Sequence, residues 1–184
     1  MRRAVLVGVL AVFATLAAAQ QPAANSGWQY PLIKGAGGAV PLPNAAVQPD
    51  KTKQYKVLFD ITKGADDPKD ILPGIDHAAR LLNVLTMSGV PMKNIHMTLV
   101  FHGPATTVGA MNDEAYRAKH NVDNPNAPIL KQMKAAGVEL FVCGQAMHAL
   151  HFADKDVLTD VKVATGAVVV LVVYQNNGYA LMPF

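Results

Sequence analysis

Residues 133–146 read Met-Lys-Ala-Ala-Gly-Val-Glu-Leu-Phe-Val-Cys-Gly-Gln-Ala, and their texture changes twice. Ahead of Gly137, the residues Ile129, Leu130, Met133 and Ala136 recur at helical spacing, with Asn124-Pro125 placed to cap and start the helix. Gly137 stops it. Val138–Cys143 is a short apolar run of strand type, and after Gly144 the stretch 145–151 is open to forming the next helix. Helix, strand, helix in that order is the alternation of a parallel sheet covered on both faces.

The alternation holds going outward. Tyr55–Ile61 is a β-branched, apolar run and reads as a buried strand, followed by a turn at Gly64, Asp66, Asp67 and Pro68. Ile75, Ala78, Ala79, Leu82 and Leu85 then mark a helix, with Pro73 near its first turn and Gly89 past its end. Ile95–Phe101 is a second strand and Asp113–His120 a short polar helix. The predicted fold is α/β, with a mainly parallel sheet of about five strands. Ala167–Val173 is ambiguous. It is strand by propensity, with a hairpin through Asn176-Asn177-Gly178 into Tyr179–Pro183, or it is a buried helix capped by Thr165 and ended by Gly178.

Ahead of Tyr55 the pattern disappears. Residues 20–54 carry Pro22, Pro31, Pro41, Pro43 and Pro49 and the glycines 35, 37 and 38, with no period of 2 or 3.6. They read as an extended arm whose Trp28 and Tyr30 either dock it onto the domain or a neighbouring subunit, or belong to a plain spacer. Residues 1–19 have the three-part layout of a secretory signal peptide: Arg2-Arg3, an apolar run from Ala4, and Ala17-Ala18-Ala19 before a cleavage point at Ala19–Gln20. Residues 4–19 as a helix span about 24 Å, short of the roughly 30 Å bilayer core, so export with cleavage is favoured over an uncleaved anchor. The expected location is the periplasm for a Gram-negative source.

The whole chain has a net charge of +3, and without Arg2 and Arg3 it has 14 basic against 13 acidic side chains. That near-balance excludes a nucleic-acid footprint. One cysteine among 184 residues excludes an intrachain disulfide framework and any multi-cysteine metal cluster within a chain. The mean hydropathy of +0.20 is partly due to the leader, and no later stretch is long enough to span a membrane.

Open α/β sheets carry their sites at the carboxyl ends of the strands. The second strand ends Phe101-His102-Gly103-Pro104 and the third ends Val142-Cys143-Gly144-Gln145. Cys143, at a strand end and ahead of a helix, is placed where N–H groups and the helix dipole favour a thiolate, and it is equally readable as a small buried hydrophobe. His102 is the candidate for tuning that thiolate or shuttling its proton, against a histidine satisfied by local backbone. Gly103, Gly144 and Gln145 are the candidate binding positions beside them.

His148 and His151 stand three apart and suggest a metal with Cys143 only weakly, since no carboxylate completes a motif. Met87, Met92, Met97, Met111, Met133 and Met182 are scattered like core filler. Asp66-Asp67-Pro68-Lys69-Asp70 is a solvated turn. Gly35-Ala36-Gly37-Gly38 has no strand before it or helix after it, and is no phosphate loop. There is no Gly-x-Ser-x-Gly elbow.

Five segments resemble the DsrE/DsrF-like family of sulfur-relay proteins: YKVLFDIT at 55–62, RLLN with its GVP exit at 80–91, LVFHGPA at 99–105, NPNAPILKQMKAAGVELFVCGQA at 124–146, and GYALMPF at 178–184. The order FHGP, AAGVELFVCGQ, GYA is the specific part, and the leader and arm resemble the family's exported branch. The resemblance implies a three-layer α/β/α domain over 55–184 and resolves the ambiguity in favour of a helix around 165–177. It also implies homo- or hetero-oligomers, and a cysteine, here Cys143, that carries sulfane sulfur as a persulfide. No cofactor is required by that chemistry; the expected partners are further copies of the chain and a thiol or persulfide protein. A non-catalytic binding or assembly module, with Cys143 buried, is the competing expectation.

Overall fold

The structure is a computed structural model and describes residues 27–184; the signal peptide expected at 1–19 lies outside the described residues. Five strands form one sheet: β1 (Tyr55–Ile61), β2 (Ile95–Phe101), β3 (Glu139–Cys143), β4 (Lys162–Ala164) and β5 (Ala180–Pro183). Their order is β4-β3-β2-β1-β5 and every pairing is parallel. The helices are α1 (Pro73–Met87), α2 (Ala105–Ala110), α3 (Asp113–His120), α4 (Ala127–Ala135), α5 (Gly144–Ala149) and α6 (Ala167–Asn176). The Ala167–Val173 run is therefore helical.

Strand alternation sorts the sheet into two unequal faces. Val57, Phe59 and Ile61 of β1, the odd-numbered residues of β2, and Leu140 and Val142 of β3 point into the main core. There they meet Ile75, Ala78, Ala79 and Leu82 of α1 and Ile129, Leu130 and Met133 of α4. The opposite parity, Leu58, Val100 and Cys143, packs chiefly under α6, against Ala167 and Val170, with Ala146 of α5 at its margin. The molecule is thus three-layered, thick on one side and thin on the other.

Two local readings shift. Asn124 does not cap α4: its Oδ1 accepts from the Asn126 N–H at 2.9 Å, and the helix begins at Ala127 with Pro128 in its first turn. Asn126 holds the N-cap position instead, but its fully buried side chain accepts from the Leu72 N–H at 2.8 Å, so both asparagine side chains tie loops together rather than cap the helix. The segment from Gly103-Pro104 is more than a turn, because it opens directly into α2.

The arm is held by a residue of the domain. Asn83 of α1 is fully buried. Its Oδ1 accepts from the Leu32 and Ile33 N–H groups at 3.0 and 2.8 Å, and its Nδ2 donates to the carbonyls of Ile33, Ala36 and Gly37 at 3.1, 3.2 and 2.9 Å. Ile33 fills the core, while Trp28 and Tyr30 are only about half covered, with Arg80 lying over the Trp28 ring. Gly37 has φ +61, and a Cβ there would sit 2.1 Å from the Arg80 backbone nitrogen. Only glycine permits that approach of arm to helix.

Among the described residues no helix is long and apolar enough to cross a membrane. Val168, Val169, Val172 and Val173 of α6 are nonetheless 47–70% exposed, and Val163, Leu181 and Met182 on the two edge strands are exposed as well.

Candidate functional site

Parallel pairing aligns the strand ends. Ile61 pairs with Phe101, and Phe101 with Val142, so the next residues, His102 and Cys143, follow side by side off β2 and β3. Both have the parity of the thin face, as does Asp60. The sequence-predicted pair is therefore brought to one edge of one face, and Asp60 joins it.

Cys143 occupies the N-cap position of α5. Its Sγ accepts from the Ala146 N–H at 3.4 Å. The residue is 6% exposed and packs with Leu58, Val100, Ala167 and Val170. Gly144 is dictated by packing: a Cβ there would come within 2.8 Å of the Ala164 carbonyl oxygen. That carbonyl belongs to β4, so the absent side chain lets the edge strand close over the start of α5. Gln145 donates its amide to the Thr165 carbonyl at 3.0 Å and fastens the turn before α6.

His102 is not hydrogen-bonded to Cys143. Its Nε2 meets Asp60 Oδ1 at 2.6 Å, and its backbone N–H donates to the Ile61 carbonyl at 3.1 Å. Gly103 turns the chain out of β2, and the Ala105 N–H reaches back to the Thr62 carbonyl at 3.2 Å. Asp60 is held through its backbone too, its carbonyl accepting from the Phe184 N–H at 2.8 Å. Phe184 is further fixed by Thr62, whose N–H and Oγ1 donate to its carbonyl, and by ring contacts with Phe59 and His77.

Among the described residues no three His, Cys, Asp or Glu side chains converge as metal ligands, so Cys143, His148 and His151 do not form such a group. His151 instead takes a left-handed conformation (φ +52) just past α5. An apolar groove of about 540 Å³ runs between residues 40–49 of the arm and Val84 and Met87 of α1, and none of the strand-end groups lines it.

A second polar group lies under α6. Tyr174 donates its hydroxyl to Glu139 Oε2 at 2.7 Å, stands edge-on to Tyr179 at 4.9 Å, and Lys56 lies over the Tyr179 ring. Burial, then the Glu139 carboxylate, pushes the Tyr174 phenol well above its ordinary value. Burial likewise raises Tyr179. This group clamps the helix's C-terminal end to the sheet.

The model of the DsrE/DsrF-like family matches residues 56–184. The chain belongs to that family. Two solved structures share the DsrE-like fold at low identity. One is a protein of unknown function from Methanobacterium thermoautotrophicum, with 20% identity and a TM-score of 0.55. The other is the ychN protein from E. coli, with 14% identity and a TM-score of 0.52. Each match covers 71% of this chain and 100% of the other. No curated protein matches the chain. The part left over in the family match is residues 1–55, so the site at the ends of β1, β2 and β3 lies wholly within the DsrE-like domain.

Asp60 was not legible as a site residue. In sequence it is one acidic residue inside an apolar strand, 42 positions from His102. The available signal was its parity: a carboxylate on a central strand, facing the same way as the histidine, needs a partner.

Proposed function

We propose that this DsrE-like chain is a sulfur-relay component that carries sulfane sulfur on Cys143 as a persulfide, without a cofactor. The observation that carries the reading is the Ala146 N–H directed at Cys143 Sγ, at the start of a helix that begins where β3 ends. An N–H at that position favours negative charge on sulfur, both on the attacking thiolate and on the persulfide that replaces it. At 6% exposure the thiol suits a small donor, such as a polysulfide or a low-molecular-weight persulfide, better than a bulky one. Gly103, Gly144 and Gln145 frame the approach. Mass spectrometry after polysulfide exposure tests this: Cys143 gaining one sulfur supports it, and an unmodified Cys143 beside a persulfidated control carrier counts against it.

The same proposal puts this chemistry in the periplasm, a reading supported by the signal-peptide layout of residues 1–19, with a partner thiol as the acceptor. The chain acts there as a homo-oligomer through the valine face of α6, an apolar patch on the order of a few hundred Å² with no charged residue from Ala167 to Asn176. Light scattering of Val169→Lys/Val172→Lys against the parent reads this directly: a smaller particle is expected, and an unchanged monomer in both refutes it.

The burial of Cys143 favours a second reading, an assembly module in which the thiol only fills space under α6. Thiol titration separates the two. Labelling of the native protein supports the carrier, and labelling only after denaturation supports the module.

A further inference from the structure

We propose that Asp60 is a positioning residue that fixes the tautomer of His102 and makes its Nδ1 the proton acceptor for Cys143. The reaction assigned to this pair rests on the sulfur-carrier reading; the geometry does not. Asp60 Oδ1 and His102 Nε2 are 2.6 Å apart, with side chains only 17% and 28% exposed. An ionised carboxylate can only accept a hydrogen bond, so the ring nitrogen facing it carries the hydrogen. A neutral imidazole with its hydrogen on Nε2 keeps the lone pair on Nδ1. Among the described residues no hydrogen bond is assigned to that nitrogen.

Asp60 is well suited to this task. It lies on the central strand β1, paired on both sides by β2 and β5, and its carbonyl is bound by Phe184. Its carboxylate is therefore presented from a backbone hydrogen-bonded on both sides. The ring it holds follows β2 in the position beside the one from which Cys143 follows β3, and adjacent strands are about 4.8 Å apart. From there Nδ1 can reach the thiol directly after a ring movement, or through one water.

The step balances without an oxidant. The Cys143 thiol proton passes to His102 Nδ1. The thiolate attacks the terminal sulfur of a hydropersulfide, R–S–S–H, forming a new S–S bond. The donor's own S–S bond breaks, its electron pair leaves on R–S⁻, and that thiolate takes the proton from the imidazolium. The products are Cys143 persulfide and R–SH, and the Asp60 carboxylate lies against the ring during its cationic interval.

The test has a geometric arm and a chemical arm. Nitrogen-15 NMR of the wild-type imidazoles reads the tautomer without any substitution: His102 protonated on Nε2 is expected, and Nδ1 protonation overturns the proposal. The pH profile of Cys143 alkylation by iodoacetamide is then compared across wild type, Asp60→Asn, Asp60→Glu and His102→Gln. Asp60→Asn and His102→Gln should each slow alkylation near neutrality by about 10- to 100-fold and give the same altered profile. Asp60→Glu should restore part of the rate. The double variant should be no slower than either single one. An Asp60→Asn profile identical to wild type overturns the proposal, as does a thiol that alkylates only on denaturation. If Asp60→Asn fails to fold, the wild-type tautomer and the His102→Gln profile still decide. Failure of wild-type Cys143 to accept sulfur, with tautomer and alkylation as expected, removes the carrier reading and leaves the positioning role standing.

Discussion

Replacing Asn83 by alanine should release the arm and cost the domain several kcal/mol. The side chain makes five hydrogen bonds to four residues of the arm, all from a fully buried position. At a net worth of about 0.5–1.5 kcal/mol each, they sum to roughly 2.5–7.5 kcal/mol if the arm stays in place with its groups unpaired. It will not stay in place. Once the Ile33, Ala36 and Gly37 carbonyls have lost their donor, undocking lets them bond to water, and this caps the loss near the cost of exposing Ile33 and Ala36. Burial of an isoleucine is worth about 2–3 kcal/mol and the alanine adds less. A loss of about 3–4 kcal/mol follows, or roughly 6–16 °C in melting temperature for a chain of this size. Urea unfolding gives the free energy, and limited proteolysis gives the site of release, which should fall between residues 27 and 40. A loss below about 1 kcal/mol, with the arm still protected, refutes the claim that Asn83 is its anchor.

Gly144→Ala should destabilise by about 1–3 kcal/mol and increase native labelling of Cys143, since the added Cβ forces the Ala164 carbonyl and the start of α5 apart; an equal labelling rate in both proteins contradicts this. The raised Tyr174 phenol stays protonated in the folded chain when an unfolded tyrosine has begun to ionise, so stability is fully present below about pH 10 and falls above it; Tyr174→Phe should make that alkaline decline shallower in urea midpoints. His120 has the opposite sense. Burial, reinforced by Lys119, lowers it from 6.5, and its Nε2 is buried with no partner and its ring against Tyr116, so the unfolded chain takes up a proton first and stability drops as pH falls below about 6.5; His120→Phe should flatten that acid limb.

The elements that were legible are those with a local signature. β1, β2 and α1 each combine an unbroken apolar or helical period with glycine or proline punctuation, and the structure places them at Tyr55–Ile61, Ile95–Phe101 and Pro73–Met87. α2 had no such signature: Ala105–Ala110 is built of small residues with a glycine inside, and it is helical because it packs on Phe101 and Leu72, where a Cβ at Gly109 would clash. β4 is three residues long and exists only by pairing with β3. In α6 the period was uninformative because every position from Ala167 to Val173 is apolar, and the family resemblance, not the pattern, selected a helix. How the arm is held was not legible for another reason: the residue that enters the core is Ile33, not the large aromatics Trp28 and Tyr30, and the anchoring group lies 50 positions away in Asn83.

The candidate site follows from an imbalance between the two faces of the sheet. A parallel sheet covered on both sides normally buries apolar residues at every position. Here the alternate positions Thr98, Asp60, His102 and Glu139 are polar, and all have the parity of the thin face. The main core is secured by the other parity, which packs against α1 and α4 and needs nothing from these residues. The thin face, covered chiefly by one helix, is thereby free to hold ionisable groups, provided that they pair with one another: Glu139 with Tyr174 at one end, Asp60 with His102 at the other. The first pair lies at an exposed position, where it fastens the end of α6 to the sheet beside Tyr179. The second lies at the carboxyl ends of β1 and β2, beside Cys143 and partly open to solvent. A slip of one residue in β1 would put Asp60 into the main core and Phe59 beside His102, so the register that builds the core also assembles the site.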